Sequence, residues 1–174
     1  MQYFSELHCV LENVGPNGEA NLDYTDGRIV NPGHDIEGVW FLLEHAKRTG
    51  NKELVAKAEE IFNWAIKAGW DEEYEGLLYF VDCLGNPPEA YEHDMKLWWP
   101  HDEILISSLM LYRDTGKEEY LDVGADVLQN AVQLGMIVIL ENLIHAALCP
   151  LLVQFLLLQV NPHHHGQHTR ACGC

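Results

Sequence analysis

Residues 43–54 read LEHAKRTGNKEL, and residues 109–120 read LMLYRDTGKEEY. In both stretches an apolar helical pattern ends at Thr-Gly, and a new segment with charged residues begins almost at once. A glycine at that place is typical of a helix C-terminus. The repeat therefore predicts two antiparallel helical hairpins, which are the building unit of an α/α toroid or solenoid.

The spacing of apolar residues on either side of the repeat extends each hairpin. It predicts helices that cover residues 35–50, 54–69, 100–116 and a stretch from residue 120 onward. Between the hairpins, the apolar run Leu77–Val81 lies between Gly76 and the turn residues 85–88, GNPP. Such a run predicts a short strand, in a small β-hairpin. The expected fold class is all-α, made of stacked helical hairpins with this β-hairpin excursion.

Charge and cysteine usage exclude some classes of partner. The 174-residue chain has 27 acidic and 10 basic residues and a net charge of −17. A surface of that sign repels phosphate backbones and anionic lipid, so neither nucleic acid nor a membrane is an expected partner, whereas a neutral sugar is not disfavoured. The five cysteines match no zinc or disulfide framework, and residues 1–10 match no signal peptide. We therefore expect a cytoplasmic protein with free thiols.

The first candidate site is the stretch NPGHDIE, residues 31–37, at the start of the first predicted helix. His34 and Glu37 lie one turn apart, and a carboxylate at that spacing can hold an imidazole in one orientation for proton transfer near neutral pH. The alternative is a structural role, in which His34 caps the helix and Glu37 completes a capping box.

The second candidate site is the stretch KLWWPHDE, residues 96–103. Trp98 and Trp99 point to different sides of a helix start, so one can enter the core while the other offers a flat face to a sugar ring. His101 and Glu103 add hydrogen-bonding groups. The alternative is that both indoles anchor the core and the acidic residues only stabilise the helix N-terminus. Both sites lie at loop-to-helix junctions one hairpin apart, so we expect them at the same rim.

Four segments together carry a family resemblance: residues 11–19, LENVGPNGE; 31–50, NPGHDIEGVWFLLEHAKRTG; 76–85, GLLYFVDCLG; and 95–116, MKLWWPHDEILISSLMLYRDTG. They resemble the C-terminal half of the N-acylglucosamine 2-epimerase family, which includes renin-binding protein and is related to cellobiose 2-epimerase and mannose isomerase. The resemblance covers about residues 7–130, and its two long signatures occur in the family's order.

This resemblance implies a partial (α/α)6 barrel and an isomerase of carbohydrate metabolism. The implied reaction is inversion at C2 of a reducing sugar, such as an N-acyl-D-glucosamine, with two histidines on opposite sides of the ring. His34 matches one of that pair and Glu37 its companion, while Trp98, Trp99, His101 and Glu103 match the segment that lines the sugar. No cofactor or metal is implied. Members of the KLWWPH branch are often homodimers and stimulated by nucleotide.

The sequence changes character after Asn130, which divides the chain into a barrel region, residues 1–130, and an atypical tail, residues 131–174. The tail contains one acidic residue, Glu141, and one basic residue, Arg170. Three interpretations of the tail are open: a membrane helix near 143–160, adventitious metal binding by its His and Cys residues, and translation in a shifted frame. The third explains the loss of charge and of family resemblance together, and is our hypothesis.

The resemblance also implies that the chain lacks the N-terminal half of the barrel and the segment carrying the second catalytic histidine. We therefore expect the 174-residue chain to be inactive as an epimerase and marginally stable unless it self-associates or the tail covers the open face. The alternative function is a non-catalytic carbohydrate-binding or protein-interaction fragment. A membrane-tethered helical protein is a weaker third interpretation.

Overall fold

The structure, a computed structural model, describes the backbone of residues 1–133 and the side chains of residues 1–130. A 3-10 turn lies at Thr25–Gly27. The strands and helices are β1 (Gln2–Phe4), β2 (Cys9–Leu11), β3 (Ile29–Val30), α1 (Pro32–Thr49), α2 (Lys52–Gly69), β4 (Val81–Asp82), α3 (Trp98–Thr115) and α4 (Glu119–Gln133). The prediction of a mostly helical chain built from helical hairpins is confirmed.

The two Thr-Gly sequences end helices as predicted. Gly50 and Gly116 both adopt a left-handed backbone conformation, with φ of 69° and 72°, and their N–H groups donate to carbonyls of the preceding turn. This conformation is readily available to glycine and satisfies a carbonyl that the helix end would leave free. Each pair of helices is therefore joined by only a few residues, and the members of a pair run antiparallel.

Helix α1 begins at Pro32, three residues before the predicted start. The side chain of Asn31 accepts a hydrogen bond from the backbone N–H of His34 at 3.2 Å, so Asn31 is the N-cap. Pro32 then occupies the first helical position, where its missing N–H costs nothing. His34 consequently lies within the first turn and does not cap the helix, which removes one of the two interpretations of this residue.

Helix α1 packs against both α2 and α3, and α3 packs against α4. The largest core cluster lies between these four helices and includes the fully buried residues Ile36, Val39, Leu43, Ala58, Leu77, Ile104 and Leu111. The hydroxyl of Ser107 donates to the carbonyl of Ile36 at 2.8 Å, so α1 and α3 approach closely. Their N-terminal ends lie side by side, which fixes the position of the candidate site.

The predicted strand at residues 77–81 differs from the structure. Only Val81 of that run is in a strand; β4 pairs antiparallel with β3, joining residues far apart in sequence. Leu77 forms one isolated bridge with Trp70. The N–H groups of residues 78–80 donate to the carbonyls of Gly69 and His93, so no continuous ladder forms. The hairpin that is present joins β1 and β2.

The boundary predicted at residue 130 stays a prediction. Residues 134–174 lie outside the described residues, and so do the membrane, metal-binding and frame-shift interpretations of the tail. Among residues 1–133, no helix is long and apolar enough to span a bilayer.

Candidate active site

The two sequence clusters meet where α1 and α3 begin. Gly33 lies so close to Trp99 that a Cβ added there would be 2.7 Å from the indole Cη2 atom and 3.0 Å from Pro100. The imidazole of His34 follows, with its ring centroid 5.1 Å from that of Trp99. Tyr79 contacts the same indole edge-on at 6.4 Å. The prediction that the clusters share one rim is confirmed.

His34 is held by a carboxylate that the sequence analysis did not identify. The imidazole Nδ1 lies 2.5 Å from Oε1 of Glu12, the residue that follows β2. Both side chains are about two-fifths exposed, at 41% and 36%. Within the described residues Nε2 makes no hydrogen bond, so this nitrogen is available to a ligand. Glu37 was predicted as the companion of His34, but the hydrogen bond is made by Glu12.

Glu103 is a partly buried carboxylate in the first turns of α3. Its Oε2 accepts a hydrogen bond from the indole N–H of Trp40 at 2.7 Å. Burial raises the pKa of Glu103, and the neighbouring charges of Glu37 and Asp102 raise it further, while the Trp40 hydrogen bond and His34 oppose the shift. The charges of Glu37 and His34 therefore both act on the Glu103 carboxyl.

The two tryptophans differ in exposure, but neither belongs to a core cluster of the described residues, so the prediction that one enters the core is not met. Trp98 is 44% exposed, whereas Trp99 is half-buried between His34, Gly33 and Tyr79. One indole thus orders the histidine, and the other presents its surface to solvent. Stacking an exposed indole against the C–H face of a sugar is the chemistry such a side chain offers.

His101 differs from its prediction as a substrate contact. Its side chain is completely buried, Nδ1–H donates to the carbonyl of Leu97 at 2.6 Å, and Nε2 accepts from the N–H of Leu77 at 3.1 Å. Burial, with a smaller contribution from the charge of Lys96, lowers the pKa of His101 below its usual value. Both ring nitrogens are therefore used inside the protein, and this histidine connects the inter-hairpin loop to α3.

Asp35 is a buried acid next to the site. It is 3% exposed and accepts one hydrogen bond, from the N–H of Val10 at 3.4 Å. Its other oxygen, Oδ1, has no hydrogen-bond partner among residues 1–130. Burial raises the pKa of Asp35 from 3.8 to about 8; the Val10 N–H opposes the shift, and the charge of Glu12 adds to it. Asp35 joins β2 to the first turn of α1 and so helps to place Glu12.

Residues 1–130 bring together no group of three or more His, Cys, Asp or Glu side chains that could hold a metal ion. The site thus consists of one imidazole, three carboxylates and two indoles, which belong to His34, Glu12, Glu37, Glu103, Trp98 and Trp99. A family model described as N-acylglucosamine 2-epimerase (GlcNAc 2-epimerase) matches residues 3–135, which is most of the chain and includes every one of these residues. The chain belongs to the N-acylglucosamine 2-epimerase family.

Curated members of the N-acylglucosamine 2-epimerase family match the same region. The N-acylglucosamine 2-epimerase of Bos taurus is 44% identical over 116 residues, which are 66% of this chain and 27% of that protein. The Homo sapiens N-acylglucosamine 2-epimerase is 44% identical over 109 residues, 62% of this chain and 25% of that protein. The chain therefore spans about a quarter of the length of the relatives it matches.

Solved structures support the same fold. A D-mannose isomerase superposes with a TM-score of 0.62 at 22% identity, covering 74% of this chain and 36% of that one. The cellobiose 2-epimerase of Bacillus thermoamylovorans B4167 gives a TM-score of 0.53 at 21% identity, covering 68% and 30%. These are barrels of the (α/α)6 type, and the described part of this family member is a portion of such a barrel.

Sequence reasoning missed Glu12, Trp40 as a hydrogen-bond donor, and Asn31 as the N-cap. Asn31 carried a usable signal, because Asn followed by Pro is a common helix start. Glu12 lies in the stretch LENVGPNGE, which contributed to the family resemblance but to neither candidate site. Trp40 lies in the helix predicted over residues 35–50, and nothing local indicates that its N–H reaches a carboxylate on another helix.

Proposed function

We propose that His34 is one of the two acid–base groups of a sugar 2-epimerase that acts on an N-acyl-D-glucosamine, an N-acyl-D-mannosamine or a related aldose. The observation that carries the proposal is an imidazole whose Nε2 is free, ordered by Trp99 and Glu12 in a chain of this family. An ordered imidazole is suited to moving protons near neutral pH.

In the proposed reaction, Nε2 of His34 removes the proton from C2 of the open-chain sugar. The electron pair of the broken C–H bond forms a C1–C2 double bond, and the aldehyde oxygen gains the negative charge of an enolate. Return of a proton to the opposite face of C2 inverts the centre, and return to the same face regenerates the starting sugar. No redox cofactor is required by this balance.

The remaining predicted site residues receive supporting roles. Glu103, held at the rim by its hydrogen bond from Trp40, is proposed to bind a sugar hydroxyl. Glu37, whose charge acts on that carboxyl, is proposed to assist proton transfer. Trp98 supplies an apolar surface to the ring. His101, with both nitrogens engaged, supports the site through Leu77 and Leu97 and makes no direct contact.

We further propose that the 174-residue chain alone does not complete inversion. The family resemblance implies a second histidine on the other face of the sugar, and no segment of this sequence matches the stretch that carries it. A single base can remove the C2 proton and exchange it with solvent on one face. Cytoplasmic location, homodimerisation and nucleotide stimulation are further implications of the resemblance and stay predictions.

Proton exchange at C2 tests the assignment of His34. N-acetylglucosamine or N-acetylmannosamine is incubated in D2O with the wild type, His34→Ala and His45→Ala, and loss of the C2 proton signal is followed by NMR. His45 is an exposed residue of the same helix, so it is the matched control. Exchange by the wild type and His45→Ala but not by His34→Ala is expected. Equal exchange by all three proteins would contradict the role of His34.

A second candidate function is carbohydrate binding without turnover, or interaction with another protein. The exposed indole of Trp98 favours sugar binding over a protein partner, because a single aromatic face suits a sugar ring. Saturable binding of N-acetylglucosamine together with no C2 exchange by the wild type would support this function. Net conversion of the sugar at an ordinary enzymatic rate would contradict both this candidate and the proposed inactivity of the chain.

A further inference from the structure

The most direct contact with the candidate base comes from outside both sequence clusters. Glu12 follows β2, and its Oε1 lies 2.5 Å from Nδ1 of His34 across 22 residues of sequence. A carboxylate only accepts hydrogen bonds, so Nδ1 must carry the hydrogen in this contact. The lone pair of a neutral imidazole then resides on Nε2, the nitrogen that makes no bond within the described residues.

Strand β2 holds Glu12 in place. Leu11, the residue before it, is completely buried, and the N–H of Val10 donates to Oδ2 of Asp35 in the first turn of α1. The backbone of His34 is fixed independently, by its hydrogen bond to Asn31. Both partners of the contact are thus anchored to the same helix start, and their geometry does not depend on flexible side chains alone.

The Glu12–His34 pair is too exposed to contribute much to folding. Its side chains are 36% and 41% exposed, and solvent weakens charged contacts at such positions. Its main consequence is the choice of tautomer and the orientation of the ring, which a carboxylate on the far nitrogen controls in general acid–base sites.

We propose that Glu12 is the positioning residue of the site: its contact with Nδ1 fixes His34 as the Nδ1–H tautomer and directs the basic Nε2 toward the C2 proton of the sugar. Only the catalytic consequence of this contact rests on the proposed function. The tautomer itself is a property of the free protein, and it can be measured with no sugar present.

The tautomer is read from the ring nitrogens by NMR. The wild-type chain is labelled with 15N-histidine, and the His34 signals are assigned by their loss in His34→Ala. We expect a protonated Nδ1 and an unprotonated Nε2 in the neutral ring. In Glu12→Ala the preference for Nδ1–H should disappear, whereas Glu12→Gln keeps an acceptor oxygen and should retain part of it. Glu37→Ala and Glu6→Ala, a substitution in the same β1–β2 hairpin, should leave the tautomer unchanged.

The same variants give the catalytic readout. His34-dependent exchange at C2 should fall about 10²-fold in Glu12→Ala and recover partly in Glu12→Gln, because a base presented through the wrong nitrogen loses most of its contribution. An Nε2–H tautomer in the wild type, or an unchanged tautomer in folded Glu12→Ala, overturns the proposal. The wild-type measurement decides it alone if Glu12→Ala does not fold. A Glu12-dependent Nδ1–H tautomer with no C2 exchange by any of the proteins would support the positioning role of Glu12 and contradict the proposed function.

Discussion

The ring of Trp99 lies against the backbone of Gly33, so close that a Cβ at this glycine would be 2.7 Å from Cη2 and 3.0 Å from Cζ3. Real Cβ atoms essentially never lie within 3.0 Å of another group in this way. Gly33 therefore allows the start of α1 and the start of α3 to meet, and the same indole orders the imidazole of His34. Packing of two helices and orientation of the candidate base depend on one contact.

Gly33→Ala is predicted to displace Trp99 and to destabilise the fold by about 1–3 kcal/mol, the usual cost of forcing extra volume into a packed contact. Urea unfolding gives the free energy, and tryptophan fluorescence reports the displaced ring. Gly38→Ala is the matched control, because it lies in the same helix with nothing within 4 Å of an added Cβ. That change should be stabilising by up to ~1 kcal/mol. Equal effects of the two substitutions would contradict the proposed contact.

Asp35 is predicted to make stability depend on pH. Its pKa is raised to about 8 in the folded protein, so its stabilising contribution is complete below about pH 4 and is lost as the pH rises to about 8. Asp35→Asn removes this dependence, because the amide carries no charge. The free energy of unfolding of Asp35→Asn minus that of the wild type should be about 2–5 kcal/mol larger at pH 8.5 than at pH 4.5.

Urea unfolding of both proteins at pH 4.5, 6.5 and 8.5 measures the difference. Asp23→Asn, a change of the same kind at an exposed position, should follow the wild-type pH dependence. A constant difference between Asp35→Asn and the wild type across the three pH values would show that Asp35 titrates alike in the folded and unfolded chains.

The helical hairpins and the rim of the site were predictable because their signals are local. The Thr-Gly sequences end helices through the backbone freedom of Gly50 and Gly116, and apolar spacing over a few turns marks the buried faces. Two helix starts at equivalent places in a repeat then had to lie at one rim. The contacts of Glu12 with His34 and of Trp40 with Glu103 were not predictable, since they join residues 22 and 63 positions apart.

His101 shows why residue type alone misleads. Next to two tryptophans and two acids, a histidine looks like a sugar ligand, and only the path of the loop near Leu77 reveals that its nitrogens are already occupied. The strand near residue 80 was misplaced for the same reason. The backbone N–H groups of residues 78–80 donate to the carbonyls of Gly69 and His93, which lie outside the predicted strand. Local β propensity therefore did not decide the structure there.

His101→Ala is predicted to destabilise the fold by about 2–4 kcal/mol, because it opens a cavity and leaves the buried N–H of Leu77 without its acceptor. The pKa of His101 is lowered in the folded state, mainly by burial. The neutral His101 ring therefore contributes fully to the free energy of unfolding above the unfolded pKa of 6.5. This contribution is lost as the pH falls through the lower pKa of the folded protein.

The difference between the wild type and His101→Ala should consequently be larger at pH 7.5 than at pH 5, as measured by urea unfolding. His45→Ala, an exposed histidine substitution, should show no such convergence. If His101→Ala kept wild-type stability but abolished sugar binding, His101 would be a substrate contact, as the sequence first suggested.

Trp98→Ala is predicted to weaken sugar binding while leaving the fold intact. Because Trp98 is 44% exposed, its removal should change the free energy of unfolding by about 0.5 kcal/mol or less. Removal of an aromatic face from the sugar should reduce affinity about tenfold. Calorimetric titration with N-acetylglucosamine measures the affinity, and Tyr91→Ala, which removes an aromatic ring that is 89% exposed, is the control. Loss of affinity in Trp98→Ala alone would assign the sugar-facing surface to this indole, whereas equal affinity in both variants would leave Trp99 and Glu103 as the groups that contact the ring.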